Sequence, residues 1–301
     1  MFPALLTTLL FATTAVCATQ AALAFGPVRA NLGRLAVAVV LLGLWAHLFG
    51  GGHGGGRLGL FALAGAIGFG AGGWCMFQAF PRIGSTLSLL VVECAAAVTA
   101  TVFAWWAFGA ALTPRQLGLA LLILAGVVYA LGPYELPRAP RRTLLAGAGF
   151  AALAAVGQGL SWTLTKAAFI DLQRAGVQLD QLTAAYQRLL GGVAIAAVIF
   201  LVARFVMRDR APAQRPAPPQ RAYLWILANA LAGPVLGVSC MLWAIRQVDN
   251  PGLVQAVVAT ATLFTVPAAR RLEQRAFRRH YFIGAAVALA AVAALVVMER
   301  G

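Results

Sequence analysis

The chain has 301 residues, of which 61% are hydrophobic and 10% are charged, and its formal net charge is +15. A soluble globular protein carries about 25% charged residues, so these side chains cannot cover a water-facing surface and we predict a multi-pass membrane protein. The excess of arginine could suggest a nucleic-acid partner. The arginines lie mostly in connections between apolar runs, however, which indicates membrane topology, and no nucleic-acid partner is expected.

Ten apolar runs follow one another along the chain. Each is long enough to cross a membrane as a helix, and helices are required because lipid cannot satisfy an exposed backbone. The runs cover residues 3–25, 31–49, 58–79, 84–108, 116–132, 143–168, 183–205, 222–245, 252–269 and 281–298. The proline-rich stretch 204–221 is typical of an extended, solvated loop. We therefore predict an all-α membrane protein with ten transmembrane helices.

The second half of the chain repeats a pattern of small residues found in the first half. A shift of 165 positions places Gly68 and Gly72 on Gly233 and Gly237, and the cysteine and methionine that follow also match. These positions fall on one face of a helix. Shorter matches recur at similar shifts in other runs, so five helices are followed by five related helices.

These matches predict two repeats of five helices each, residues 1–135 and 143–301. Because five is odd, the repeats would be inverted, as in many secondary transporters whose substrate site lies between the repeats near the midplane. Arg57 and Arg115 are the single basic residues of two loops in the first half, whereas the matching loops of the second half hold five arginines each. By the positive-inside rule both termini would face outward.

Short motifs in both halves resemble the drug/metabolite transporter superfamily, and specifically its EamA type with ten helices in two repeats. Residues 161–166, Ser-Trp-Thr-Leu-Thr-Lys, are similar to the family's first repeat helix. Arg34 and Arg188 stand where an arginine opens the second repeat helix, and Gly118 and Gly284 stand where the fifth helix has a glycine.

The resemblance implies a secondary transporter, working as an exporter, that moves a small metabolite, amino-acid-like or drug-like solute by alternating access between inverted repeats. It implies a multi-pass protein of the bacterial inner membrane that contacts lipid, uses no cofactor and can couple to protons. The family's termini are cytoplasmic, which conflicts with the charge count. A flippase for lipids or lipid-linked sugars on the same fold is the alternative.

An intramembrane enzyme is a more distant alternative. Such an enzyme needs a nucleophile with a base in reach, or a metal with several ligands. The three histidines lie near helix ends or in a loop, apart from any nucleophile within the membrane. The four cysteines all lie inside apolar runs, so we expect neither a disulfide framework nor a metal site.

Glu93 is the only carboxylate deep within any apolar run. Intramembrane acids are costly and usually face the bundle interior or a wet cavity. Two functional roles are open for Glu93: it couples transport to protons, or it pairs with a cationic part of the solute. The structural alternative is a neutral acid that is hydrogen-bonded between helices.

Arg188, beside Tyr186, lies deep enough in its run to be a pocket residue, and both residues are candidates for solute binding. The alternative for an arginine near a helix start is snorkelling to the interface, and we expect that role for Arg34. A Glu93–Arg188 pair across the repeats is a further hypothesis.

The remaining candidates for solute binding are tryptophans and amides. Trp74 and Gln78 are four residues apart and share a helix face, as do Gln158 and Trp162. A cavity of aromatic rings with a few amides would suit a small amphipathic or zwitterionic solute. The alternatives are lipid contact for the tryptophans and interhelical hydrogen bonds for the amides. The other members of this group are Asn229, Trp243 and Gln255.

Overall fold

The computed structural model describes residues 1–131, 139–206, 220–266 and 279–298. Within these ranges the regular elements are helices and no strand occurs, which confirms the predicted all-α fold class. Eight helices are long and apolar enough to cross a membrane, and the apolar helix Pro251–Val266 is shorter.

We number ten helical segments in chain order within the described residues. They are α1 (Phe2–Phe25), α2 (Pro27–Leu48), α3 and α4 (together Leu58–Phe108), α5 (Pro114–Leu131), α6 (Arg141–Arg174), α7 (Gln181–Val206), α8 (Arg221–Gln247), α9 (Pro251–Val266) and α10 (Arg279–Met298).

The run Leu58–Phe108 contains two crossings rather than one. Its 51 residues exceed the roughly 20 that one crossing needs. At Gly84 the backbone has φ 80° and ψ 167°, a conformation that glycine adopts without steric cost, and the helix direction changes there. The segments on either side are α3 (residues 58–83) and α4 (residues 85–108), so the observed helices are compatible with ten crossings.

Proline and glycine set the boundaries between neighbouring helices. Gly26, with φ 83°, ends α1, and Pro27 opens α2 at once; proline suits a first helical position because its missing N–H has no partner there anyway. A proline, Pro251, also occupies the first position of α9. There the side chain of Asn250 caps the helix, accepting a hydrogen bond of 2.9 Å from the N–H of Gly252.

The relation between the halves is visible in the backbone. Two π-helical segments occur within the described residues, Ala66–Gly72 in α3 and Leu231–Gly237 in α8. Both their first and their last residues are 165 positions apart, which is the shift that aligns the glycines of the two sequences. Since π-helical turns are rare, their recurrence at this shift supports a repeated structure.

The helix packing has the same two-fold pattern. The first helix of the first half, α1, packs along α8 of the second half. Its counterpart in the second half, α6, packs along α3 and α4 of the first half. Three further contacts between halves join matched helices to each other, α2 to α7, α4 to α9 and α5 to α10, and α3 packs on α7 as α8 packs on α2. Exchanging the halves therefore leaves these main pairs of neighbours unchanged, and the interior lies where α1, α3, α6 and α8 meet.

The outer surface and the connections bear on the membrane topology. Large apolar side chains are exposed along the outside of the helices, with Trp106 82% exposed, as expected for a lipid-facing surface. The loop residue Arg57 forms an ion pair with Asp171 at 3.1 Å. The arginines of 208–215 and 270–278, on which the charge count for the termini depends, lie outside the described residues, as does the predicted repeat boundary at 135.

Candidate functional site

A cavity lies between the two halves, and both π-helical segments face it. The first segment contributes Gly68, Phe69 and Gly72, and the second contributes Gly233 and Pro234. The centres of water-sized molecules have a volume of about 50 Å³ available in the cavity, which is partly open to the outside. Residues of α1, α2, α4, α6 and α7 complete the lining, so the site is built from both halves.

On one side of the cavity a buried carboxyl group is held by two amides. Glu93 on α4 is 2% exposed. The Nε2 of Gln158 on α6 lies 3.3 Å and 3.4 Å from its two carboxyl oxygens, and the Nε2 of Gln255 on α9 also donates to Oε2. Glu93 takes part in no ion pair within the described residues. Three helices therefore meet at a carboxyl group whose hydrogen-bond partners are neutral.

Another part of the cavity wall carries a buried arginine stacked on aromatic rings. Arg188 on α7 is 1% exposed, and its Cζ lies 4.2 Å from the ring centroid of Trp162 and 5.2 Å from that of Phe69. Its Nη2 donates to the Oγ of Ser161 at 2.8 Å, and that hydroxyl donates to the carbonyl oxygen of Ala64 at 2.6 Å. The guanidinium plane is thus fixed by residues of two neighbouring helices, α3 and α6.

Arg188 is nevertheless incompletely hydrogen-bonded. Its Nε and Nη1 have no partner in the described part of the chain, and neither has the indole Nε1 of Trp162. Unpaired buried donors are uncommon in native proteins and call for an explanation. Both side chains line the cavity, so these unpaired donors lie in its wall.

Arg34 also lines the cavity, contrary to the expectation that it snorkels to the interface. It is 4% exposed, its Nε donates to the Oδ1 of Asn31 at 3.0 Å, and its Cζ lies 4.8 Å from the ring centroid of Phe77. Asn31 in turn donates to the carbonyl oxygen of Phe69 in the π-helical segment at 3.4 Å. The snorkelling role is wrong because this face of α2 lies against α3, where Arg34 contacts Phe77 and the side chain is buried.

The hypothesis of a Glu93–Arg188 pair is not supported by the contacts. Glu93 is held by amides and Arg188 by Ser161, and within the described residues Arg57–Asp171 is the ion pair that forms. Of the ten candidates, Glu93, Gln158, Trp162 and Arg188 line the cavity. Gln255 reaches it through its hydrogen bond to Glu93.

Trp74 and Gln78 share a helix face as predicted, but that face points away from the cavity. The cavity-lining residues of α3 include Gly72 and Met76, and a step of two residues rotates a helix by about 200°. Trp74 accordingly packs edge-on against Phe150, with centroids 5.5 Å apart. Gln78 accepts a 2.7 Å hydrogen bond from a neighbouring arginine on its own helix.

Three further candidates of the second half also lie outside the cavity lining. Trp243 is 41% exposed on the outer face of α8, consistent with lipid contact. Asn229 is buried and donates to the carbonyl oxygen of Thr14 at 2.9 Å, which joins α8 to α1. Tyr186 lies near the start of α7, where its hydroxyl is 3.2 Å from ring nitrogens of both His47 and His53.

Some residues of the cavity were absent from the sequence-based candidates. Arg34 could have been included because its match to Arg188 at the same repeat position was visible in the sequence. Ser161 was read as part of a family motif only, although its hydroxyl positions Arg188. Phe11 and Thr14 of α1 gave no signal, because an apolar helix does not reveal which of its faces is internal.

Comparisons with known proteins agree with the fold and with the resemblance. A search of curated proteins found no match. A solved structure described only as a crystal structure of a protein aligns with a TM-score of 0.71 at 19% identity, covering 100% of this chain and 97% of that chain; this likeness shows the fold alone. Residues 1–132 match the EamA-like transporter family. The protein is therefore an integral multi-pass membrane protein whose residues 1–132 carry the signature of the EamA-like transporters, consistent with the drug/metabolite transporter superfamily.

Proposed function

We propose that the protein is a secondary transporter that moves a small solute across the membrane and binds it in the cavity between the two halves. The observation that carries this proposal is the position of the cavity, which is lined by Gly68 and Gly72 of one π-helical segment and by Gly233 and Pro234 of the other. Substrate sites of transporters built from inverted repeats lie at this kind of interface.

The contact between α3 and α7 supports alternating access. A Cβ at Gly65 would meet the backbone of Arg188, and a Cβ at Gly191 would meet the backbone of Ala62, so the two helices approach each other through glycine. Small residues at a helix interface permit close approach and leave few side chains to interlock. One half can then rock against the other while the cavity between them is kept.

Glu93 is our candidate for proton coupling. It lines the cavity, is 2% exposed, and is held by the amide groups of Gln158 and Gln255. An amide can donate to a carboxylate or, after rotation, accept from a carboxylic acid, so both protonation states can be accommodated. A solute gradient or a proton gradient would then supply the energy, and we propose export as the direction, following the family resemblance.

Counterflow in proteoliposomes tests the transport function. The purified protein is reconstituted, vesicles are loaded with an unlabelled amino acid, nucleoside, cationic drug or aryl carboxylate, and uptake of the labelled solute is followed. We expect saturable counterflow for at least one of these solutes. Vesicles without protein and vesicles with Gly68→Leu, whose added side chain would collide with Ser161 in the cavity wall, serve as controls.

A fluorescent phospholipid in the same vesicles separates transport from the flippase alternative. Transport predicts that the lipid stays in its leaflet while the solute exchanges. Lipid exchange between leaflets without counterflow of any solute would overturn the proposal in favour of a flippase.

A further inference from the structure

The cavity presents hydrogen-bond donors that the protein leaves unused. These are the Nε and Nη1 of Arg188 and the Nε1 of Trp162, and the two side chains are stacked with 4.2 Å between Cζ and the ring centroid. The hydroxyl group of Thr14, which can donate or accept, is a further unpaired group in the lining. Arginine and the indole of tryptophan can only donate, never accept. A ligand that satisfies this group of donors must therefore supply acceptor atoms.

On the other side of the cavity, the carboxyl group of Glu93 already has hydrogen-bond donors from the protein. Glu93 accepts from Gln158 at both oxygens and from Gln255 at one of them. Most of the lone-pair positions of a carboxylate are then already used. One unpaired buried acceptor, the Oε1 of Gln255, belongs to the amide that serves Glu93, and Gln255 is not among the residues that line the cavity.

The formal charges of the lining point the same way. Among the described residues, the charged side chains that line the cavity are Arg34, Arg188 and Glu93. With Glu93 ionised, one positive charge remains in excess, held in a region of low dielectric where an unpaired charge is costly. A ligand with one negative charge neutralises the cavity, whereas a cation would add to the imbalance.

Most of the remaining lining is apolar. Phe11 and Ala15 of α1, Phe80 and Leu89 of α3 and α4, and Val238 of α8 face the same space. An anion made of a charged group alone would leave this surface in contact with water. An apolar body attached to the charged group would bury it, at about 25 cal/mol per Å² of apolar surface.

We infer that the transported solute is an amphipathic monocarboxylate, whose carboxylate accepts hydrogen bonds from Arg188 and Trp162 while its apolar body lies against the phenylalanines of α1 and α3. This inference rests on the proposed transport function and specifies the substrate class of the same site. Arg34, at the matched position of the other half, supplies the second guanidinium group. Arginine suits this role because its planar, permanently charged group matches a carboxylate.

The test compares solutes that differ in one group. Equilibrium binding to the detergent-purified protein is measured by calorimetry for a series of aryl and alkyl carboxylates, headed by 3-phenylpropionate, and for the carboxamide and the amine of each. We expect the carboxylates to bind at least about tenfold more tightly than their carboxamides, as a charge-assisted hydrogen bond requires, and the amines to bind more weakly still.

Two variants tie the preference to these side chains. Arg188→Gln should reduce the preference for carboxylate over carboxamide to within about twofold, and Trp162→Phe, which removes one donor and keeps the ring stack, should weaken carboxylate binding by about three- to tenfold. Arg57→Gln is the matched control because Arg57 lies outside the cavity, in an ion pair with Asp171; it should leave the preference unchanged. The phenylalanine variant keeps the test decisive if Arg188→Gln does not fold.

The outcomes separate this inference from the transport proposal. Equal binding of carboxylates and carboxamides, tighter binding of amines, no binding of any carboxylate, or an unchanged preference in both variants would overturn the inference. Counterflow of neutral or cationic solutes with such a result would leave the transport function standing. Binding of carboxylates that depends on Arg188, together with an absence of counterflow, would instead overturn the transport function.

Discussion

Gly68 lies against Ser161 so closely that a Cβ at position 68 would lie 2.8 Å from the Cβ of Ser161 and would also meet its hydroxyl oxygen. That hydroxyl accepts the 2.8 Å hydrogen bond from Arg188. The contact between Gly68 and Ser161 thus links the π-helical segment of α3 to the position of the Arg188 guanidinium group in the cavity.

Gly68→Ala should therefore impair solute binding more than it impairs folding. The added methyl group pushes Ser161 away and moves Arg188, while overpacking costs about 1–3 kcal/mol of stability. We expect a loss of about tenfold or more in affinity, measured by calorimetry. Gly59→Ala on the same helix is the control, since nothing lies within 4 Å of its Cβ position; equal losses in the two variants would contradict the account.

Glu93→Gln should uncouple transport from the proton gradient. The amide side chain is nearly the same size but cannot gain or lose a proton, so solute exchange should persist while a pH difference across the vesicle membrane no longer accelerates net flux. Net flux with and without an imposed pH difference is the measurement. Asp171→Asn, which removes a carboxylate outside the cavity lining, should respond as the wild type does. An intact response in Glu93→Gln would remove Glu93 from the coupling role.

Gln255 and Glu93 should be energetically coupled. Replacing Gln255 with leucine leaves the carboxyl group short of a donor, at a cost of about 1–3 kcal/mol, and this cost should shrink when Glu93 is also replaced with leucine. A double-mutant cycle on thermal unfolding in detergent measures the coupling. The same cycle with Gln78, which bonds to an arginine on its own helix, should give additive effects. Additivity in both cycles would deny the carboxyl–amide contact.

Trp162 and Trp243 provide a direct comparison between a tryptophan in the cavity and one on the outer surface. Trp162 is 3% exposed and lines the cavity, whereas Trp243 is 41% exposed on the outside of α8. Trp162→Leu should reduce carboxylate affinity by about tenfold or more, because the stack under Arg188 and one donor are lost. Trp243→Leu should change the affinity by less than about twofold. A reversed order would contradict the placement of the site.

Much of the fold could be predicted because it depends on the lengths of the apolar runs and the repeated spacing of small residues. The start of the fourth run at residue 84 coincides with the break at Gly84, and the shift that aligned Gly68 with Gly233 also aligns the π-helical segments. The π-helical geometry itself could not be predicted, since it depends on how the glycine-rich turns pack against α7 and α1.

The candidate site was predictable where a polar residue is rare in its surroundings. Glu93 and Arg188 stand out in long apolar runs for that reason. Periodicity correctly grouped Trp74 with Gln78, but it cannot tell which face of an apolar helix points inward when lipid replaces water outside. Arg34 was assigned to the interface because its closeness to a helix start suggested snorkelling, and only its contact with Phe77 of α3 shows that it faces the cavity.

Thiol accessibility tests most directly whether the cavity opens alternately to the two sides of the membrane. The cysteines Cys17, Cys75, Cys94 and Cys240 are first replaced, and Thr14, which lines the cavity, is changed to cysteine. A membrane-impermeant maleimide is then applied from one side or the other, with Ser88→Cys, buried outside the cavity lining, as the control. The account predicts that the cysteine at position 14 reacts from both sides, that solute shifts the balance, and that the control reacts from neither. Reaction from one side only, unchanged by any solute, would contradict alternating access.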